Sequence, residues 1–251
     1  MCRIGLVNKD DEHAEQIIKA ADCELYTYSE KGKEADFSAS DIRYVSQPDF
    51  VGTEFHISGK YDMEVRLGIP GLFNVVNALA AVSVCSFLDL DKEKISHALE
   101  HIRVNGRMEI VYTSERCTVL VDYAHNAVSM ESLLSTLRDY KPKRLVCVFG
   151  CGGNRSKDRR YSMGEIGGKL ADLSIITADN SRYEKVEDII ADIRGSIEKT
   201  GGSFIEIPDR REAIRYSILQ AQPGDMVAVI GKGHEDYQEI NGVRHHFLDR
   251  E

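Results

Sequence analysis

The sequence predicts an α/β protein whose second part is a Rossmann-like domain with a mostly parallel sheet. From about residue 117, short apolar runs alternate with amphipathic helical segments, which is typical of strand-helix-strand units. The runs at 144–149 and 225–230 are almost entirely apolar, as strands covered on both faces require. A length of 251 residues with 42% hydrophobic residues provides enough core for one large or two modest domains.

Residues 1–110 predict a first, smaller α/β part. Its predicted strands lie at Arg3–Val7, Glu24–Ser29, Ile42–Ser46, Thr53–Ser58 and Tyr61–Leu67. Its predicted helices lie at His13–Ala21, from after Asn74 to about Leu88, and at Lys92–Ile102. Gly59–Lys60 predicts a hairpin turn, the glycines and proline of 68–74 predict a loop, and Asp91 is the expected N-cap of the last helix.

Residues 111–251 predict the Rossmann-like part, and we place the boundary near residue 110, in the polar stretch Asn105–Arg116. The predicted strands are Thr118–Tyr123, Arg144–Phe149, Leu173–Ala178, Ser203–Ile207 and Asp225–Ile230. The predicted helices are Ser129–Tyr140, Met163–Ala171, Val186–Glu198 and Arg210–Gln220. Asp209 and Glu212 form a capping box for the last helix, and Asn241-Gly242 predicts a terminal hairpin.

Charge and composition exclude several classes of function. A net charge of −9 disfavours binding to nucleic acid or to an anionic membrane, because phosphate groups repel such a surface. No run of eighteen apolar residues occurs, and the six cysteines form no C-x-x-C pair. We therefore expect a cytoplasmic protein with neither a nucleic-acid nor a membrane partner and with no metal site in this chain.

Polar side chains follow four of the predicted parallel strands. These segments are Asp122–His125, Gly150–Arg160, Asp179–Arg182 and Gly231–Glu235. Because ligands of open α/β sheets bind beyond the carboxyl ends of the strands, we expect the four segments to meet at one site. The cations of the second segment suit a phosphate or a carboxylate, although a solvated basic turn is the simpler alternative.

Two of these segments also have simpler interpretations. Asp179-Asn-Ser-Arg182 offers an acceptor, an amide, a hydroxyl and a guanidinium, which suits a zwitterion, but as an isolated tetrapeptide it is typical of a turn. Gly231-Lys-Gly-His-Glu235 lacks the spacing of a Walker motif.

In the first part, Asn74 and Asn77 lie three residues apart, so their carboxamides could bind an adenine edge, or they could be helix caps.

Together, seven segments in order resemble the Mur ligases, the ATP-dependent amide ligases that build the peptide of bacterial cell-wall precursors. They are Asn8-Lys-Asp-Asp11, Gly71–Ala81, Gly106-Arg-Met-Glu109, Val121-Asp-Tyr-Ala-His125, Phe149–Gly153, Asp179-Asn180 with Arg182, and Gly231–Glu235. The chain is most similar to the tripeptide-synthetase branch of the family. The resemblance implies that 1–110 is part of the central ATP-binding domain and 111–251 the C-terminal, amino-acid-binding domain.

The resemblance also implies roles for individual residues. Those expected to contact ATP are Asn74, Asn77, Arg107 and Asp122. Those expected to bind the incoming amino acid are Arg155, Asp179, Asn180, Arg182, Gly231 and Glu235. Arg182 favours meso-diaminopimelate over lysine, because a guanidinium is the natural partner of a distal carboxylate. Ser181 departs from the family, which usually has proline there.

The resemblance implies that the whole enzyme joins a diamino acid to UDP-N-acetylmuramoyl-L-Ala-D-Glu through an acyl phosphate, using ATP and Mg²⁺. No G-x-x-G-K-[ST] motif occurs in the chain, so we expect the P-loop and the metal ligands to lie outside it and this piece alone to be inactive. Two alternatives remain: a non-catalytic amino-acid-binding paralogue and a folylpolyglutamate-synthetase-like ligase. The oligomeric state is not predicted.

Overall fold

A computed structural model describes residues 3–88 and 90–251 of the chain. It divides into two compact units, the first comprising Met1–Ser46 with Phe50–Arg103 and the second Gln47–Asp49 with Val104–Glu251. Among the described residues, no helix is both long and apolar enough to cross a membrane. The described cysteines, Cys23, Cys85, Cys117, Cys147 and Cys151, are free thiols, and Cys2 lies outside the described residues.

The first unit is a five-stranded sheet with three helices. Its strands are β1 (Ile4–Asn8), β2 (Glu24–Ser29), β3 (Phe37–Gln47), β4 (Phe50–Gly59) and β5 (Met63–Leu67), adjacent in that order. Its helices are α1 (Ala14–Ala20), α2 (Leu72–Ser86) and α3 (Lys92–His101). β1 and β2 are parallel, whereas β4 and β5 form the predicted antiparallel hairpin around Gly59, whose φ is +102°. Phe37, Phe55 and Leu79 lie in its core.

Most predicted elements of this unit are present, and three begin earlier than predicted. β4 begins at Phe50 instead of Thr53. Asp91 caps α3 as expected, its Oδ1 accepting from the backbone of Glu93 over 2.8 Å. β3 begins at Phe37 instead of Ile42, because Phe37 and Ala39 alternate into the core among small polar residues that hide the pattern. α2 begins at Leu72, so the loop predicted over Gly68–Asn74 is shorter than expected.

The second unit contains a six-stranded sheet and a terminal hairpin. Its strands are β6 (Glu109–Thr113), β7 (Cys117–Asp122), β8 (Arg144–Phe149), β9 (Leu173–Ile176), β10 (Phe204–Glu206), β11 (Asp225–Ile230), β12 (Tyr237–Ile240) and β13 (Val243–His246). Its helices are α4 (Ala127–Asp139), α5 (Asp158–Leu170), α6 (Val186–Thr200) and α7 (Arg210–Leu219). The sheet order is β10-β9-β8-β11-β7-β6, and β6 alone pairs antiparallel within it.

The sheet is mostly parallel, as predicted, and every residue of β7 and β11 is buried. The capping oxygen of Asp209 accepts from the backbone of Glu212 over 2.9 Å, which confirms the predicted start of α7. Asn241 and Gly242, with φ of +50° and +75°, turn the β12–β13 hairpin as predicted. The sequence thus located both the central strands and the terminal turn.

Two features of this unit were not predicted. The polar stretch Asn105–Arg116 contains the edge strand β6, whose half-exposed residues lack an apolar run and whose pairing is irregular between Ile110 and Tyr112. α5 begins at Asp158 instead of Met163. Its first turn is charged, so the apolar period starts only later, yet Arg160 in that turn is 1% exposed and held by ion pairs.

Candidate ligand-binding site at the strand ends

The four polar segments leave the carboxyl ends of β7, β8, β9 and β11, which are neighbours in the sheet. The structure brings several of their side chains into direct contact. Nδ2 of Asn180 donates to Oε2 of Glu235 over 3.0 Å, and the hydroxyl of Tyr123 donates to Oε1 of the same carboxylate over 3.2 Å. The backbone of Gly153 donates to the carbonyl of Asn180 over 2.9 Å. The expected convergence at one edge of the sheet is therefore observed.

Lys232 lies at the centre of this cluster and was not among the predicted site residues. Its side chain is 0% exposed, and Nζ donates to Oδ1 of Asn180 over 3.2 Å and lies 3.4 Å from Oε2 of Glu235. It also donates to the backbone carbonyl of Tyr237. The sequence signal is a lysine between two glycines, directly after a fully buried strand; both glycines have positive φ. The charge of Glu235 is thus balanced within the protein.

Asp179 is 8% exposed and faces the start of the Gly231–Glu235 segment. Its side chain accepts from the backbone N–H of Asn180, and its carbonyl accepts from Nε2 of Gln238 over 3.1 Å. A Cβ at Gly231 would lie 2.8 Å from Oδ2 of Asp179, and Gly231 has a φ of +112°. Glycine is therefore needed at 231 both for its backbone conformation and to leave the carboxylate room.

Arg182 adopts a φ of +51°, an uncommon conformation for a residue with a side chain. One guanidinium nitrogen donates to the carbonyl of Gly153 over 2.7 Å, and Nε lies 3.5 Å from Oε2 of Glu239. A Cβ at Gly152 would lie 2.9 Å from the same guanidinium and 3.9 Å from Cγ of Arg155. The absence of a side chain at Gly152 thus leaves space between the two arginines.

The cations of the 150–160 segment divide into two groups. Arg160 donates to both oxygens of Glu184 over 2.8 Å and to Asp192 over 2.9 Å, and Lys157 pairs with Asp192 over 3.1 Å. Burial acts to lower the pKa of Arg160, but these carboxylates outweigh it and raise the pKa. Arg160 and Lys157 therefore fasten the segment to α6 and to Glu184 just before it, whereas Arg155 lies exposed beside Gly152.

A second set of predicted residues lies where β7 ends. Asp122 is 7% exposed and accepts from the backbone of Met108 over 2.8 Å and of Ala124 over 2.7 Å. Burial raises its pKa, and these hydrogen bonds and the charge of Arg107 oppose the shift only in part. The Arg107 guanidinium lies 4.9 Å from the ring centroid of Tyr123. Arg107 and Asp122 thus occupy the same region of the second unit.

Asn74 and Asn77 lie in the first turns of α2, in the first unit. Nδ2 of Asn74 donates to the carbonyl of Pro70 over 2.7 Å, and Nδ2 of Asn77 lies 3.4 Å from Oδ1 of Asn74. The N-cap of the helix is Gly71, so neither asparagine occupies the capping position. Within residues 3–88 and 90–251, no three His, Cys, Asp or Glu side chains are arranged to hold a metal ion.

The two halves of the chain match two domains of one family. Residues 2–85 match the Mur ligase middle domain, and residues 106–233 match the Mur ligase glutamate ligase domain. UDP-N-acetylmuramoyl-L-alanyl-D-glutamate--2,6-diaminopimelate ligase 2 of Clostridium acetobutylicum is 40% identical over 252 residues, 100% of this chain and 51% of that protein. The corresponding ligase of Trichormus variabilis is 42% identical over 98% of this chain and 50% of its own length.

A solved structure of a UDP-N-acetylmuramoyl-L-alanyl-D-glutamate--2,6-diaminopimelate ligase superposes with a TM-score of 0.77 at 36% identity, covering 98% of this chain and 51% of that one. A folylpolyglutamate synthase of Thermotoga maritima, at 21% identity, 87% coverage of this chain, 48% of its own and a TM-score of 0.63, shares the fold alone. The chain spans about half the length of the curated relatives it matches. From its sequence and its fold, the chain belongs to the Mur ligase family.

Proposed function

We propose that this chain is part of an ATP-dependent ligase that adds meso-diaminopimelate to UDP-N-acetylmuramoyl-L-Ala-D-Glu in peptidoglycan synthesis. The relatives that match 98% or more of the chain at 40–42% identity carry that activity in their names. In the reaction, ATP transfers its γ-phosphoryl group to the D-glutamyl carboxylate and leaves as ADP. The amine of the diamino acid then attacks the acyl phosphate, which forms the amide and releases inorganic phosphate.

The observation that carries the proposal is the cluster of Asp179, Asn180, Arg182 and Glu235 at the strand ends. A guanidinium and carboxylates fixed on one rigid sheet edge suit an amino acid, whose two ends are charged oppositely. Arg182 and Arg155 bind the carboxylates of the incoming amino acid, and Asp179 and Glu235 its ammonium groups. Gly231 keeps the space in front of Asp179 open.

The same proposal assigns a nucleotide role to four other residues. Asp122 binds the ribose hydroxyls, Arg107 contacts the nucleotide, and Asn74 and Asn77 contact the adenine. The two carboxamides offer the donor and acceptor pair that an adenine edge needs. Mg²⁺ neutralises the phosphates in this chemistry, and we assign it no ligand in this chain.

Titration of the chain with meso-diaminopimelate and with L-lysine tests the amino-acid part of this proposal. We expect meso-diaminopimelate to bind at least tenfold more tightly, because lysine lacks the carboxylate that Arg182 binds. Equal affinity for the two amino acids would refute the assignment of the substrate. We also expect no ATP hydrolysis above a heat-treated control, and measured turnover would contradict the expectation that the phosphate-binding loop lies outside this chain.

Two other functions make different predictions. A non-catalytic amino-acid-binding protein would be encoded without an in-frame P-loop upstream of the Met1 codon, so sequencing that region separates it from the ligase. A folylpolyglutamate-synthetase-like enzyme would bind glutamate in preference to a diamino acid. The diamino acid is favoured, because the relatives at 40–42% identity are named as 2,6-diaminopimelate ligases.

A further inference from the structure

The terminal hairpin β12–β13 forms one wall of the 179–182 segment. The backbone N–H of Arg182 donates to the carbonyl of Glu239 over 3.0 Å, and that of Asn241 donates back to the carbonyl of Arg182 over 2.6 Å. The N–H of Glu239 donates to Oδ1 of Asn180 over 2.9 Å. The hairpin therefore pairs with the segment through one parallel bridge, between Arg182 and Ile240. This pairing fixes the position of Glu239 next to Arg182.

The side chains of Glu239 and Arg182 form a partly exposed pair of opposite charges. Oε2 of Glu239 lies 3.5 Å from Nε of Arg182, and the two side chains are 21% and 23% exposed. A distance of 3.5 Å is longer than a good charge-assisted hydrogen bond, so the pair is loose. Both charges thus remain accessible to a ligand.

Glu239 differs in this respect from Glu235. The Glu235 carboxylate accepts from Asn180 and Tyr123 and lies 3.4 Å from the buried Lys232, so its oxygens and its charge are already matched. The Glu239 carboxylate, by contrast, has Arg182 as its charged partner in the part of the chain that the structure describes. Of the two glutamates, Glu239 therefore has more capacity left for an ammonium group from outside.

We propose that Glu239 is a specificity-determining residue that acts with Arg182 on the zwitterionic end of the incoming amino acid. Arg182 binds the carboxylate of that end, and Glu239 joins Glu235 in binding the ammonium group on the same carbon. This inference rests on the proposed function, because it concerns the distal end of a diamino diacid. An amino acid whose distal end carries only a carboxylate or only an ammonium group binds more weakly. In that case either Glu239 or Arg182 faces a like charge or has no ligand group to bind.

Three ligands test the distal carboxylate and the distal ammonium group separately. meso-Diaminopimelate carries both groups at its distal end, L-lysine only the ammonium, and 2-aminopimelate only the carboxylate. The wild-type chain and the variants Glu239→Gln and Glu131→Gln are titrated with each ligand by calorimetry, or by ligand-observed NMR in the millimolar range. Glu131 is exposed on α4 and serves as the matched control. Melting temperatures confirm that each variant is folded.

We expect Glu239→Gln to weaken meso-diaminopimelate at least fivefold while the Kd of 2-aminopimelate stays within twofold or improves. Glu131→Gln should change neither value. A parallel loss for both diacids would overturn the proposal, since it would mean that Glu239 only holds Arg182 in place. Unchanged affinity for meso-diaminopimelate would also overturn it. If wild type binds none of the three ligands at millimolar concentration, the proposed function itself fails, and this inference with it.

Discussion

The ammonium group of Lys232 donates a hydrogen bond to Oδ1 of Asn180 over 3.2 Å and, together with the backbone N–H of Glu239, determines which way the Asn180 amide faces. With its oxygen directed to Lys232, the amide presents its nitrogen to Glu235. Lysine has donors only, so the opposite orientation of the amide would lose this bond. A buried residue outside the predicted set thus orients a predicted ligand-binding residue.

Replacing Lys232 by methionine should destabilise the second unit by about 2–3 kcal/mol, because it removes the ammonium donor from the Tyr237 carbonyl and leaves Glu235 without its cation. Urea unfolding measures the loss. Lys199→Met, at an exposed position near the end of α6, is the matched control and should change stability by less than about 0.5 kcal/mol. Equal effects of the two substitutions would contradict the role assigned to Lys232.

Gly106→Ala should also destabilise the second unit. Gly106 has a φ of +67°, and a Cβ there would overlap the backbone nitrogen of His234. The strained backbone alone costs about 1–2 kcal/mol, and the overlap adds to it. Gly195→Ala is the control: it lies in α6 with nothing within 4 Å of the new Cβ, so it should stabilise by about 0.5–1 kcal/mol. Thermal unfolding should move in opposite directions for the two variants.

The pairs that fasten the 150–160 segment to α6 should make stability depend on pH. The hydrogen bond from Arg160 lowers the pKa of Glu184 below its ordinary 4.5. Burial would raise the pKa of Asp192, but bonds from Arg160 and Lys157 outweigh it and lower the pKa below 3.8. Because both folded-state pKa values are depressed, the stabilisation is complete above these ordinary values and is lost as the pH falls through the folded-state values.

Urea unfolding of wild type and Glu184→Gln between pH 7 and pH 3 measures this dependence. The difference in unfolding free energy between the two proteins should be largest near neutral pH and should shrink below about pH 4. Glu187→Gln, an exposed position on α6, should track the wild type at every pH. A difference that grows on acidification would show that the sign of this effect is wrong.

Asp249→Asn should be among the most destabilising single substitutions in the second unit. Both Asp249 oxygens accept from Arg210 over 2.7 Å, and both side chains are 0% exposed. Breaking a buried pair on one side leaves an uncompensated charge and costs about 3–5 kcal/mol. Glu251→Gln is the control, because it removes the carboxylate of a nearby exposed residue. It should cost less than about 0.5 kcal/mol, and urea unfolding measures both variants.

Cys151 should be unreactive toward thiol reagents in the folded protein. It is 3% exposed, and burial raises the pKa of its thiol to about 12, so at pH 8 roughly one molecule in ten thousand carries the thiolate. Cys147 is fully buried, and burial likewise raises its pKa. Among the described cysteines, the half-buried Cys23 and Cys85 should react first with a disulfide reagent, and the buried Cys117, Cys147 and Cys151 only on unfolding. Fast reaction of Cys151 before unfolding would contradict its placement.

Sequence patterns located what depends on local periodicity. The apolar runs gave β8 and β11 to the residue, and the Asn241-Gly242 pair gave the hairpin turn, because each signal lies within a few neighbouring residues. Patterns could not locate charged residues that are buried by partners far along the chain. Arg160 and Lys232 look like surface residues in a local window and are enclosed only through Glu184, Asp192 and Asn180.

In the candidate site, too, local sequence segments could be predicted, whereas contacts between distant residues could not. The polar segments after the strands were placed at one sheet edge by a general rule for α/β folds, and the structure agrees. Glu239 was not predicted because it lies in a hairpin strand, and contacts with Asn180 and Arg182, far away in sequence, bring it to the site. The ligand-binding roles of the predicted residues remain predictions for the titrations above.

The position of β11 has a consequence for how the protein is made. β11 is the last parallel strand in the chain, yet it lies between β7 and β8, which precede it. During synthesis, β7 and β8 emerge from the ribosome well before β11, the strand that lies between them. The centre of the sheet can therefore form only late, once β11 has been made. A nascent chain that ends before residue 225 therefore lacks both the completed sheet and the edge on which Asp122, Asp179 and Lys232 are assembled.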